Sequence, residues 1–187
     1  MLIYENSGKI YCYIHIPKNS GKFIRDTIKS YKNNKIIKSY WDCNENLDFA
    51  HLPFILRKDY TNFLKEQNIY YYTYARNPYN RIISGFFYKR PNSNKNQFKL
   101  FVKNELIKYD FNTTFNKNII HYYPQYMFIC NDDFQINEVE YKKLENQDFN
   151  IKEYNLSDYF DLETIKIINE VYLKDFELLN YELKWSV

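Results

Sequence analysis

Two runs along the chain are continuously apolar and aromatic, and each ends at a turn marked by proline. Lys9 to Ile16 (KIYCYIHI) is β-branched and aromatic and stops at Pro17, which cannot donate to a central ladder. This run predicts a buried strand entering a loop, PKNSG. From Gly21 the apolar positions Ile24, Ile28 and Tyr31 recur at spacings of four and three, one face of a helix running to about Asn33. Ile69 to Ala75 (IYYYTYA) is the second run, bounded by Arg76-Asn77-Pro78, and the proline suits the first turn of a helix over Tyr79 to Tyr88. The chain therefore carries two strand, loop and helix junctions.

Weaker patterns fill the rest. Ile36 to Tyr40 predicts a short strand, and Asp59 to Gln67 a helix with Tyr60, Phe63 and Leu64 on one face. Lys89 to Lys99 (KRPNSNKNQFK) is polar and broken by Pro and Asn, an exposed loop before a helix of about Phe98 to Lys108. Glu138 to Leu144 alternates as a strand, and Ile165, Ile168, Tyr172, Phe176 and Leu179 mark one face of a C-terminal helix. Strands alternating with helices imply an α/β fold around a mostly parallel sheet. No repeat, linker or low-complexity tract interrupts the pattern, so residues 1–187 are expected to form a single domain.

Composition narrows the function. The net charge of +3, from 26 basic and 23 acidic side chains, is too balanced for a nucleic-acid footprint over the whole surface. Cys12, Cys43 and Cys130 form an odd set without metal-ligand spacing, which argues against a disulfide framework and a zinc site and suits reduced thiols in a cytoplasm. No segment approaches the roughly 20 apolar residues that span a bilayer, and the N-terminal MLIYENSGKI lacks the pattern of an export signal. The 21 tyrosines carry no functional inference.

The chemistry concentrates at the two junctions. A loop that leaves a strand and enters a helix aims backbone N–H groups and the positive end of the helix dipole at what lies above it, which favours phosphate. In IPKNSGKF, Lys18 and Lys22 flank Asn19, Ser20 and Gly21: two ammonium groups, small polar donors and a glycine that permits close approach. An ordinary solvated turn with two surface lysines has the same composition. The segment differs from a nucleotide-triphosphatase P-loop, because His15 and Ile16 lie where the first glycine belongs and Phe23 takes the Ser/Thr place. In ARNPYNRIISGFF, Arg76 leaves a buried strand at its C-terminal end, where α/β sheets bind ligands, and Ser84 comes two helical turns on. Arg76 can fork onto a phosphate and Ser84 can donate to it, while Arg81 helps or faces solvent. The alternative is a helix N-terminus with a surface salt bridge.

Together these segments resemble the PAPS-dependent sulfotransferases, in particular the carbohydrate type that includes heparan sulfate 2-O- and 6-O-sulfotransferases. HIPKNSGKF looks like that family's 5′-phosphosulfate loop and RNPYNRIISGFF like its 3′-phosphate motif. Further matches come in the family's order: AHLPF at Ala50 to Phe54, HYYPQYMF at His121 to Phe128, YKKLENQDF at Tyr141 to Phe149 and VYLKDFELLNY at Val171 to Tyr181. The resemblance implies a three-layer, P-loop-like α/β fold with a central, mostly parallel sheet flanked by helices. It also implies a sulfotransferase that moves a sulfuryl group from PAPS (3′-phosphoadenosine-5′-phosphosulfate) to a hydroxyl, most naturally on a glycan, with no metal required; charge balance and the lack of an apolar span give the expectation of no nucleic-acid and no membrane partner. By position, Lys18 and Lys22 with the backbone of Asn19, Ser20, Gly21 and Phe23 would bind the 5′-phosphosulfate, and Arg76 and Ser84 the 3′-phosphate. The loop departs from the family's PKTGGTS at Asn19, Ser20, Lys22 and Phe23.

For catalysis, Lys18 is expected to stabilise the leaving bridging oxygen. His51, in AHLPF, is expected to be the base, histidine being the side chain that titrates near neutral pH and the matching family segment one that supplies a catalytic histidine. Asp48 and Glu45 are carboxylate alternatives, His15 is expected to be a packed residue, and His121 precedes a segment that could line the site. Acceptor identity falls to variable loops, Lys89 to Phe98 and Asp110 to Asn118; the basic residues Lys89, Arg90, Lys95 and Lys99 suit an acidic acceptor or, equally, keep an exposed loop soluble. Two other readings stand beside this one: a sulfotransferase-like binding or scaffold module, and a small-molecule kinase with a degenerate phosphate loop.

Overall fold

The computed structural model describes residues 1–40, 49–51, 68–111, 116–130, 136 and 139–186. The helix expected over Asp59 to Gln67, the candidate bases Glu45 and Asp48, and Cys43 lie outside the described residues. By its internal contacts the chain divides into two compact units, Met1–Ala75 with Gln125–Lys143, and Arg76–Pro124 with Leu144–Val187.

The first unit is built on a five-stranded sheet of β1 (Leu2–Asn6), β2 (Lys9–Tyr13), β3 (Lys35–Ser39), β4 (Ile69–Ala75) and β5 (Val139–Lys143) in the order β3-β1-β2-β4-β5. The sheet is mixed. β2, β4 and β5 run parallel, in the register Tyr13↔Tyr72 and Ala75↔Lys143, whereas β1 is antiparallel to both β2 and β3. The extra strand β1 exists because Ser7 and Gly8 both adopt positive φ, 50° and 76°, the two-residue hairpin turn whose twist matches that of the strands it joins. A sheet wholly made by crossovers would have been parallel throughout; the hairpin makes it mixed.

Register places Tyr4, Tyr11, Tyr13, Tyr70, Tyr72 and Tyr74 on one face, where Tyr4 stacks on Tyr11 at 5.3 Å and the Tyr4 and Tyr72 hydroxyls share a hydrogen bond of 2.9 Å. Burial pushes the Tyr13 and Tyr72 phenols far above their ordinary range. The opposite face packs Met1, Ile3, Cys12 and Tyr40 against Ile10, Ile69 and Tyr71. Helix α1 (Gly21–Ser30) comes after β2, with Ile24 and Ile28 buried as the spacing predicts.

The second unit is helical. α2 (Pro78–Lys89) begins with Pro at its first turn and with the Asn77 side chain accepting from Tyr79 N at 3.0 Å. α3 (Lys95–Asn104) starts inside the stretch expected to be loop, because Asn94 and Gln97 form a reciprocal capping box. Asp161 and Thr164 cap α4 (Leu162–Val171) in the same way, and α5 (Leu173–Leu178) begins after a break at Tyr172. Phe86, Phe98, Phe101 and Phe160 interlock as aromatic pairs 5.2–5.4 Å apart at the centre of this unit. Arg81 is buried in that interior, 1% exposed, with Tyr172 and Asp175 as its electrostatic partners, so it does not face solvent. No helix among the described residues is long and apolar enough to cross a membrane.

The capping box of α4 gives a test of these local determinants. Burial pushes the Asp161 carboxyl up, but the Thr164 N–H and hydroxyl and the Lys103 ammonium outweigh it and hold the group below its usual range. A depressed folded value contributes stability above the unfolded pKa that is lost as pH falls through the folded one. Asp161→Ala should therefore cost about 1 kcal/mol at pH 7 in urea denaturation. Asp161→Asn should keep most of the cap and flatten the acid limb of the stability curve.

Candidate functional site

After Tyr13 the chain remains held to β4: Ile14 N donates to Tyr72 O at 2.9 Å and Thr73 Oγ1 donates to Ile14 O at 2.7 Å. It then turns at Ile16-Pro17 into the loop. Lys18 has φ of 70° and Ser20 has φ of 56°, whereas Asn19 between them keeps a negative φ. Alternation of hand over consecutive residues turns successive N–H groups toward one side, the concavity that binds anions in phosphate loops. Such conformations are sparsely populated by residues with a Cβ and cost roughly 1–2 kcal/mol each.

The loop feeds directly into α1, whose N-cap Ser20 supplies no side-chain cap. The N–H groups of a helix's first turn have no intrahelical acceptor and carry the positive end of its dipole. Two non-glycine residues at positive φ, leading into a helix start without a side-chain cap, thus follow β2.

The candidate residues of this unit fall into distinct positions. Lys18 is half-buried within the loop, and Ser20 is likewise half-buried. The Asn19 side chain points inward rather than at a ligand: it is fully buried and donates through Nδ2 to Tyr74 O at 2.7 Å and to Gln125 Oε1 at 2.8 Å. Its backbone N–H closes a turn onto Ile16 O at 3.3 Å. Gly21 is buried against the His15 imidazole, which a Cβ at position 21 would overlap. Lys22 stands on the outer face of α1, its side chain 86% exposed and its ammonium 3.5 Å from Asp26. Phe23 is exposed beside it.

His15 is buried as expected, and it also forms the link to His51, whose ring lies edge-on to it at 4.6 Å between centroids. His51 closes the short helical turn Phe49–His51, and Met1 N holds that turn through Ala50 O at 2.8 Å. Thus the histidine expected to be the base sits one ring away from the residue on which Gly21 packs. Tyr13 adjoins the same group, 6.3 Å from His15. The remaining residues of AHLPF lie outside the described residues. Among the described residues no cluster of three metal-ligating side chains is present.

In the second unit Arg76 is buried, not a surface residue. Its Nη2 donates to Lys152 O, and Tyr154, Glu145, Glu153 and Tyr181 surround it electrostatically. Burial pulls the guanidinium below its usual range while these neighbours pull it back. Glu145 accepts from Asn77 N at 2.7 Å and from Tyr181 OH at 2.9 Å, and Asn80 Oδ1 accepts from Tyr154 N at 3.0 Å. Ser84 is half-buried one turn beyond Asn80, on the same side of α2. Gly85 lets that helix approach His121, whose carbonyl would be 3.0 Å from an added Cβ. His121 itself stacks against exposed Tyr88 at 4.7 Å, so its ring is engaged on α2. Gln125, in the Pro-Gln segment after His121 that the sequence offers as lining the site, bonds Asn19; its place in HYYPQYMF gives no sign of that partner.

The loop's strain can be measured. Ser20→Gly should raise stability by about 1 kcal/mol, since glycine adopts positive φ without the Cβ penalty. Gly21→Ala should lower it by about 1–3 kcal/mol through overlap with His15. Equal stability of Ser20→Gly and wild type in urea denaturation would contradict the assigned backbone. Compared with known proteins, the chain matches no family model, no curated protein and no solved structure.

Proposed function

We propose that this protein is a PAPS-dependent sulfotransferase acting on a hydroxyl of a carbohydrate. The observation that carries the proposal is the positive φ of Lys18 and Ser20 on either side of Asn19 at the uncapped start of α1: a strained, non-glycine loop that carries a lysine. Strain of this kind persists where a site uses it, and a concavity of N–H groups uses it to hold an anion. The resemblance of HIPKNSGKF and RNPYNRIISGFF to the family's two phosphate motifs makes that anion the 5′-phosphosulfate and gives Arg76 and Ser84 the 3′-phosphate. With this reading goes the finer architecture, a three-layer P-loop-like fold, and a cytoplasmic location suited to the buried thiols Cys12 and Cys130.

In the reaction the bond between sulfur and the bridging phosphate oxygen breaks, and a bond between sulfur and the acceptor oxygen forms. Lys18 neutralises the charge that appears on the departing oxygen, and the loop N–H groups hold the phosphate without rearranging. His51 takes the proton released by the acceptor hydroxyl, with His15 edge-on behind it. Lys22, paired with Asp26 on the outer face of α1, contributes long-range charge rather than a fixed contact.

A second reading has its own observation. The inward turn of Asn19 and the outward turn of Lys22 remove two side-chain donors that the family's loop supplies as hydroxyls, which suits a module that binds the donor without transferring from it. Radiolabelled transfer from PAPS to a panel of neutral and acidic oligosaccharides separates the two. Lys18→Ala should lower turnover about 10²-fold or more with a smaller effect on PAP affinity, and His51→Ala about 10²–10⁴-fold with PAP binding retained. Full activity in His51→Ala would remove the histidine from the chemistry; no transfer by wild type with PAP bound would favour the binding module.

A further inference from the structure

A loop of alternating hand needs something to hold its middle residue, and in this protein the holder is a buried amide pair. Asn19 and Gln125 are each 0% exposed. Asn19 Nδ2 sits between Tyr74 O at 2.7 Å and Gln125 Oε1 at 2.8 Å. The Tyr74 carbonyl can only accept, which fixes the Asn19 amide with its nitrogen toward β4. Gln125 must then present its oxygen, because two NH2 groups facing each other would repel. The orientations of both amides are set by one main-chain carbonyl at the end of β4.

We propose that Gln125 is a positioning residue for the phosphate loop: through Asn19 it holds Lys18 and Ser20 at positive φ. The residue acts at one remove and touches no donor itself. It opens the short helical turn Gln125–Phe128, in which Tyr126 and Phe128 are also buried, so its backbone is anchored independently of the loop. Two neighbouring bonds are longer: the Asn19 N–H to Ile16 O contact is 3.3 Å, and Arg25 Nε reaches Gly21 O at 3.3 Å, both at the long end of hydrogen-bond geometry. The bonds to Asn19 Nδ2, at 2.7 and 2.8 Å, are shorter than both. They also account for asparagine at this position: one side-chain nitrogen carries two protons and serves two acceptors, which a threonine hydroxyl with a single proton cannot do.

The identity of the ligand rests on the sulfotransferase proposal, but the restraint does not, and the test separates them. Amide hydrogen exchange would be followed by NMR on the full chain in wild type, Gln125→Met and Gln125→Glu. Methionine is similar in length and lacks the accepting oxygen, whereas glutamate retains one. In Gln125→Met the Asn19 and Ile24 amides, which bond Ile16 O and Ser20 O, should exchange about tenfold faster, the effect of one net hydrogen bond. The Tyr72 and Thr73 amides of β4 should stay at the wild-type rate. Glutamate should restore the loop rates. PAP affinity, measured by calorimetry, should fall about tenfold in Gln125→Met, as expected for a loop that must be ordered on binding. Unchanged Asn19 and Ile24 exchange in Gln125→Met, or an equal rise across the sheet amides, would overturn the positioning role. A wild type that binds no PAP would contradict the function alone, and the exchange comparison would still uphold or overturn the restraint.

Discussion

Parallel pairing between β2 and β4 brings both strands out at the same end of the sheet, and each is followed by a segment carrying basic side chains, Lys18 after β2 and Arg76 after β4. The ladder does not stop at the last strand residue. Ile14 N and Thr73 Oγ1 extend it by two hydrogen bonds, so the main chain is fixed up to Ile14 before it turns at Pro17. Were β2 to slip by one residue against β4, Tyr13 would exchange faces with Cys12 while Tyr72 kept its own, and the tyrosine layer would be lost. The apolar and aromatic content of the two strands thus fixes the take-off point of the loop, and packing energy is what secures the geometry of a polar site.

Beyond the ladder the backbone is strained. Two residues with a Cβ adopt positive φ within three positions, at a cost of roughly 1–2 kcal/mol each. Asn19 offsets part of that with two short buried hydrogen bonds, each contributing about 1 kcal/mol net. The residual strain is small beside the packing around it, where His15, Gly21 and Ile24 are buried together. A loop with glycines at these positions would fold with less strain and would also be looser. Side chains that hold the backbone in place restrict the loop more than glycines would, and under the proposed function that preorganisation favours charge stabilisation.

Much of the scaffold was legible in the pattern of residues. Ile69 to Ala75 is a strand over the residues its apolar run covers, and Pro17 and Pro78 mark the two junctions because proline's missing N–H restricts where it can stand. The elements that escaped the pattern were set by short polar signals of low contrast. β1 depends on Ser7-Gly8 turning the chain, and α3 begins at Lys95 because Asn94 and Gln97 cap each other inside a stretch whose polarity reads as loop. The break at Tyr172 splits a face that periodicity carries straight through. In the site, the loop's position was readable and its side-chain directions were not. Asn19 turns inward because a carbonyl one strand away accepts from it, and Lys22 turns outward because Asp26 lies one helical turn on. Arg81 is buried by partners far along the chain, Tyr172 and Asp175, which no local pattern reports.

The central claim is the proposal that this chain binds a donor carrying both a 5′ and a 3′ phosphate. Calorimetric titration of PAP, with ADP as the ligand lacking the 3′-phosphate, into wild type and Arg76→Ala tests it most directly. PAP should bind wild type in the micromolar range, lose that binding in Arg76→Ala, and have no counterpart in ADP. Failure of PAP to bind wild type, or equal binding of PAP and ADP, would contradict the claim.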